Sequence, residues 1–155
     1  PRWEDTRKSS GFNFRMTGFQ AALANNQLKR IEKINKKKIQ IYKLYYSLLK
    51  NIKGISFQLT KKKDYNVHWM VGIIINEKYK ISKDDLKDEL SKKHIDTRDF
   101  FMSIAEQPCF ADIFKKKHST PISNQLWEKG LYLPSSYDIS KKEIVEICSL
   151  IKKYS

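Results

Sequence analysis

Asn13 and Arg15 alternate with Phe12, Phe14 and Met16 near the start of the chain. In extended backbone successive side chains point to opposite faces. The aromatic residues then share one face, and the Asn13 amide and Arg15 guanidinium share the other. An amide donates hydrogen bonds without adding charge, and a guanidinium grips phosphate or carboxylate through a planar fork. The chemistry such a pair could do is anion binding. The same spacing also suits a helix lead-in whose Asn13 and Arg15 satisfy nearby carbonyls and carboxylates, and the residues leave both readings open. No metal site is expected, because His68, His94 and His118 are scattered and Cys109 and Cys148 lie in no Cys-x-x-Cys or Cys/His cluster. Two free thiols are expected rather than a disulfide.

The elements that must position these residues follow from capping and periodicity. Thr17 with Gln20 forms a capping-box pattern, and the Ala21-Ala22-Leu23 run favours helix. Leu28, Ile31, Ile34, Ile41, Tyr45, Leu48 and Ile52 then recur at three- and four-residue steps. One long linking helix over 17–53 is expected, about 50 Å long at ~1.5 Å per residue, with Gly54 taking the left-handed position after it. Residues 1–16 form an extended lead-in and 54–155 a small domain. Strands are expected at 55–59, at 67–75, whose two apolar faces suit a central strand, and at 95–101. Ser82 with Asp85 starts a helix running to about His94, and Asn124–Lys129 is a short helix ended by Gly130. Leu131–Leu133 is a brief apolar segment. Ser140 with Glu143 caps a final helix whose stripe is Ile144, Ile147, Cys148 and Ile151. These elements predict an α+β fold: a long N-terminal helix leading into a small, mostly antiparallel sheet flanked by helices.

Composition bounds the function. The 155 residues can bury one core, and 40% hydrophobic content argues against disorder. No run approaches the ~20 apolar residues needed to span a bilayer, and PRWEDTRKSS has no apolar core of a signal peptide. A cytoplasmic protein without a membrane role is expected. The chain opens on Pro1 rather than Met, so a longer parent protein is expected. The net charge of +14 raises the question of nucleic acid. The excess lies in lysine blocks at 36–38, 61–63 and 115–117, and no RNP-like strand, recognition-helix module or zinc spacing accompanies it. Solvated lysine faces are the expected reading, and a basic nucleic-acid-binding module is the alternative. A positive face could also steer an anionic small molecule.

Several separate stretches carry a resemblance. Gly11-x-Asn13-x-Arg15-Met16-Thr17 with Gln20-Ala21-Ala22-Leu23 and Gln27-Leu28, then Trp69-Met70, Thr97-Arg98, Glu106-Gln107-Pro108 and Leu133-Pro134-Ser135-Ser136, follow one another in family order. Together they resemble the C-terminal part of the DegT/StrS family of pyridoxal-phosphate-dependent sugar-nucleotide aminotransferases. The resemblance implies the C-terminal domain of a fold-type I aminotransferase, with the large cofactor-binding domain absent from this chain. It implies a complete enzyme, a homodimer, that aminates a 4-keto-6-deoxy sugar nucleotide with glutamate as donor. It implies that Asn13 reaches the phosphate of the partner subunit's pyridoxal phosphate. Arg15 and Arg98 would bind anionic groups of the nucleotide-diphosphate sugar, with Phe100 and Phe101 packing against it. Arg98 read without the family is a strand-end arginine beside two core aromatics. No lysine here stands in the family's Schiff-base motif, so no catalytic residue is assigned, and this chain alone is expected neither to hold the cofactor nor to transaminate. Four positions depart from the family stretch: Asp99 and Ser103 replace prolines, Met102 a tyrosine and Ala105 a histidine. Those departures would also suit a non-catalytic regulatory or interaction domain of the same fold.

Overall fold

The computed structural model describes residues 14–61, 63–110 and 120–155. The chain divides into two compact units, one ending at Lys33 and the other running Ile34–Ser155. In the first, Thr17 caps helix α1, Gly18–Leu28, through the reciprocal bonds expected of it: its hydroxyl accepts from the Gln20 N–H and its own N–H donates to Gln20 Oε1 at 3.0 Å. Every described residue of the unit is exposed.

The single helix expected over 17–53 is two helices. A turn at Lys29–Arg30 separates α1 from α2, Ile31–Leu49. Asn25 and Asn26 are weak helix formers near the end of α1, and no residue of α1 is buried. Nothing offsets that weakness, and the ladder tightens: Arg30 N–H donates to Gln27 O at 3.0 Å. The apolar period runs through the break, which is why periodicity alone reads it as continuous.

Four strands form one antiparallel sheet in the order β1-β2-β4-β3. They are β1 (Ile55–Phe57), β2 (Val71–Ile75), β3 (Arg98–Asp99) and β4 (Gly130–Leu133). The inner face carries Ile55, Val71, Ile73, Ile75, Leu131 and Leu133, all buried. Against it pack Ile41, Tyr45 and Leu49 of α2, Leu86 and Leu90 of α3 (Lys83–Ser91), and Ile144, Ile147, Cys148 and Ile151 of α5 (Lys141–Lys152). Each large apolar side chain so buried contributes roughly 1.5–3 kcal/mol. The capping boxes at Ser82/Asp85 and Ser140/Glu143 are formed, and Gly54 takes φ +88° with its Cα against the Tyr79 backbone. Tyr45 and Tyr79 keep their hydroxyls satisfied by donating to Pro134 O at 2.9 Å and Ile151 O at 2.5 Å.

Three strands are shorter than expected: β1 stops at Phe57 rather than at 59, and β2 and β3 are shortened because histidines leave the extended region. His68 has φ 50°, and its N–H donates to Asn66 Oδ1 at 2.8 Å, so β2 starts at Val71 rather than at 67. His94 has φ 58° and closes α3. Ile95 N–H donates to Leu90 O and His94 N–H to Ser91 O, the paired bonds of a Schellman ending in which histidine stands where glycine is usual. Ile95 therefore belongs to the helix cap, and β3 keeps two residues. Helix α4, Pro121–Lys129, begins three residues earlier than expected, with Pro121 in its first turn.

Candidate functional site

The outer face of the sheet is unlike the inner one. Strand register aligns Arg98, Tyr132 and Gly72 in one row, and Gly130 with Ile74 in the next. Phe100 joins that second row through its N–H, which donates to Gly130 O at 3.2 Å. Its ring occupies the space above both glycines. A Cβ on Gly72 would meet Phe100 Cζ at 2.6 Å, and one on Gly130 would meet Phe100 Cγ and the Leu126 carbonyl of α4. The ring stacks on Tyr132 with centroids 4.3 Å apart and planes 22° from parallel, and Phe101 tilts towards the same Tyr132 ring at 6.3 Å. Offset aromatic pairs at such separations are favourable beyond simple burial.

The inner side of β3 is fixed by charge. Asp99 accepts from Lys83 at 3.0 Å and Lys87 at 2.5 Å, both on α3. The Lys87 hydrogen bond is the largest influence holding the Asp99 carboxyl below its ordinary range, and the same bond raises Lys87. Asp99 stands where the resembled family has proline, so an ion-pair clamp replaces a φ restraint. Ser103, at the second lost proline, accepts from Ala105 N–H at 3.3 Å and lies 3.0 Å from Thr120 Oγ1. The loop that follows is one turn of 3-10 helix at Ile104–Glu106 and another at Pro108–Phe110.

Between these anchors, Arg98 is exposed, and its guanidinium has no partner among the described residues. Phe101 is 62% exposed, whereas Phe100 is half-buried and committed to the glycine floor. Three residues singled out in the sequence thus lie together on β3 and in the two residues after it, with different surroundings. Tyr132, which carries no motif, joins them; only the strand register brings it opposite Arg98. Arg15 is exposed in the other unit and makes contacts of its own. Asn13 lies outside the described residues.

Pyridoxal phosphate needs a free amine and an anion cradle. The half-buried lysines among the described residues are otherwise engaged: Lys37 donates to Ile139 O, Lys38 to Ser135 O, Lys83 and Lys87 to Asp99, and Lys129 to Glu77. A depression of about 420 Å³ is lined by Asp96, Asp138, Glu143 and Glu146 together with Lys93 and His94. Among the described residues no half-buried amine is left free to hold the cofactor, and no step through it is derived from them. No group of His, Cys, Asp or Glu among them could hold a metal ion. None of their helices is long and apolar enough to cross a membrane.

Residues 2–152 match the DegT/DnrJ/EryC1/StrS aminotransferase family, and the chain belongs to that family. Over 145 residues, 92% of this chain, it is 31% identical to GDP-perosamine synthase of Vibrio cholerae. Over 153 residues, 98% of this chain, it is 28% identical to GDP-perosamine synthase of Escherichia coli O157:H7. It spans only 38% and 39% of the length of those two relatives. The fold is that of DesV from S. venezuelae, with TM-score 0.84 and 19% identity, covering 99% of this chain and 40% of that one. It is also that of the Helicobacter pylori aminotransferase PseC, with TM-score 0.83 and 19% identity, covering 99% of this chain and 41% of that one.

Proposed function

We propose that this chain is the C-terminal, substrate-facing portion of a sugar-nucleotide aminotransferase that converts a 4-keto-6-deoxy sugar nucleotide to the 4-amino sugar. The GDP-perosamine synthases it is similar to favour that substrate class. The observation that carries the reading is Arg98: an exposed guanidinium with no partner among the described residues, on a strand held by the Asp99 ion pairs and followed by the stacked Phe100. A cation held ready in this way suits a diphosphate, which accepts a two-pronged hydrogen bond. Phe101 offers an exposed apolar face beside it, and Phe100 holds the strand in place; Arg15, in the other unit, stays an anion-binding candidate on the family resemblance alone. The Asn13 amide would donate to the cofactor phosphate of a partner subunit in a homodimer. Pyridoxal phosphate, when bound by the complete enzyme, supplies the electron sink for amino-group transfer. The lysine that holds it belongs to the part of the enzyme this chain does not span.

The test is an assay of the protein encoded by the complete gene, with a 4-keto-6-deoxy nucleotide sugar and glutamate. Formation of the 4-amino sugar with one equivalent of 2-oxoglutarate is expected, and Arg98→Ala should raise KM for the nucleotide sugar about tenfold or more. A complete protein that consumes no glutamate, or an unchanged KM in Arg98→Ala, overturns the proposal.

A further inference from the structure

We infer that Tyr132 is a second ligand-binding residue, its phenol O–H donating to the same diphosphate that Arg98 holds; this rests on the substrate class proposed above. Tyr132 and Arg98 are register partners on adjacent antiparallel strands. Side chains so paired leave the sheet on one face with Cβ atoms about 5 Å apart. The phenol is half-buried, yet its hydroxyl makes no hydrogen bond among the described residues. The two fully buried tyrosines, Tyr45 and Tyr79, both spend theirs on a carbonyl, and half-buried Tyr42 and Tyr154 donate to Gln58 O and Glu89 Oε2. Buried or half-buried tyrosines generally find a partner, so the unused donor beside an unused guanidinium marks a place for an acceptor from outside. Burial raises the Tyr132 phenol above its ordinary range, which keeps it a neutral donor through the physiological pH range.

The ring is aimed from several sides. Phe100 stacks on one face, Phe101 stands at 6.3 Å, and the missing Cβ of Gly72 leaves room for its edge, which a Cβ there would meet at 3.3 Å. With its ring so confined, Tyr132 gives up little side-chain entropy on binding. The two donors differ in kind: a charged fork at the exposed edge strand and a neutral O–H on the central strand. Together they recognise two linked phosphoryl groups better than a single one.

The full chain titrated with GDP, followed by ligand-observed NMR, separates the roles. Tyr132→Phe keeps the stack and removes only the donor. It should weaken GDP binding about tenfold while leaving the unfolding midpoint and the Phe100 ring resonances unchanged. Arg98→Ala should weaken GDP binding at least as much, and GMP should lose much less affinity than GDP in Tyr132→Phe. Tyr132→Leu, which removes the stack as well, should lower the unfolding midpoint. Wild-type affinity in Tyr132→Phe, with Arg98→Ala impaired, overturns the role of Tyr132 and leaves the diphosphate reading standing. Wild-type affinity in both variants, or no binding of GDP by the wild-type chain, overturns both.

Discussion

Phe100 and the two glycines beneath it show how much a single side chain can dictate on a sheet. Gly72 and Gly130 are both occupied from above by the same ring, but only Gly130 also has a backbone carbonyl, that of Leu126, in the way of a Cβ. Gly72→Ala should therefore cost about 1–3 kcal/mol by overpacking, and should be largely tolerated once Phe100 is also replaced by alanine. Gly130→Ala should remain costly in that background. Denaturant midpoints of the four variants check this, and equal rescue at both glycines would contradict it. At Asn13 the expected effect is on function. Losing one hydrogen bond to an anion costs on the order of 1.5–3 kcal/mol, so Asn13→Ala in the complete enzyme should retain the cofactor about ten- to a hundredfold less well. If the amide serves the partner's site, mixing this variant with one lacking the cofactor-holding lysine restores activity, because each heterodimer has one intact site. No recovery, with heterodimers verified by mass, would reject the cross-subunit role.

Among the elements, β3 is the most economical: two residues, one clamp. Asp99 stays ionised to a lower pH than a free aspartate, so the clamp contributes fully above the ordinary aspartate value and fades as pH falls through the depressed one. Lys87 is raised, so its share is present below the ordinary lysine value and is lost as pH climbs through the higher one. Asp99 is 34% exposed in its side chain, and screening keeps the contribution under about 1 kcal/mol. Asp99→Asn should lower stability by that small amount near neutrality, with the difference from wild type vanishing at acid pH. A deficit that persists unchanged in acid would assign the loss to packing instead. The three capping boxes and the α5 stripe were legible in the sequence because each is a local pattern with a local cause. The break at Lys29–Arg30 was not, since the apolar period continues across it. Nor were the shortened β2 and β3, since left-handed His68 and His94 carry no glycine or proline to announce them. Of the candidate site, Arg98 and Phe101 could be read from the chain, but the pairing of Tyr132 with Arg98 could not, because strand pairing is non-local.

At the scale of the whole molecule, the net charge of +14 is carried largely by lysines on exposed positions of helices and turns. Charge of this kind raises the encounter rate with anions and falls off steeply with salt. Duplex DNA should therefore associate only at low ionic strength, and no sub-micromolar complex should persist at physiological salt. Fluorescence anisotropy across a salt series checks this, and a tight complex at that salt would restore the nucleic-acid reading.

The two thiols sit in opposite surroundings: Cys109 is exposed, while Cys148 lies 1% exposed on α5 inside the core, its thiol pushed up to about 12 by burial. Their difference amounts to a built-in clock for core opening. An alkylating reagent should modify Cys109 at once and Cys148 only as often as α5 lifts from the sheet. The slow step, followed by intact mass, should accelerate in Gly130→Ala and stay at the wild-type rate in Tyr132→Phe. Simultaneous labelling of both thiols in the native protein would show that α5 does not close the core.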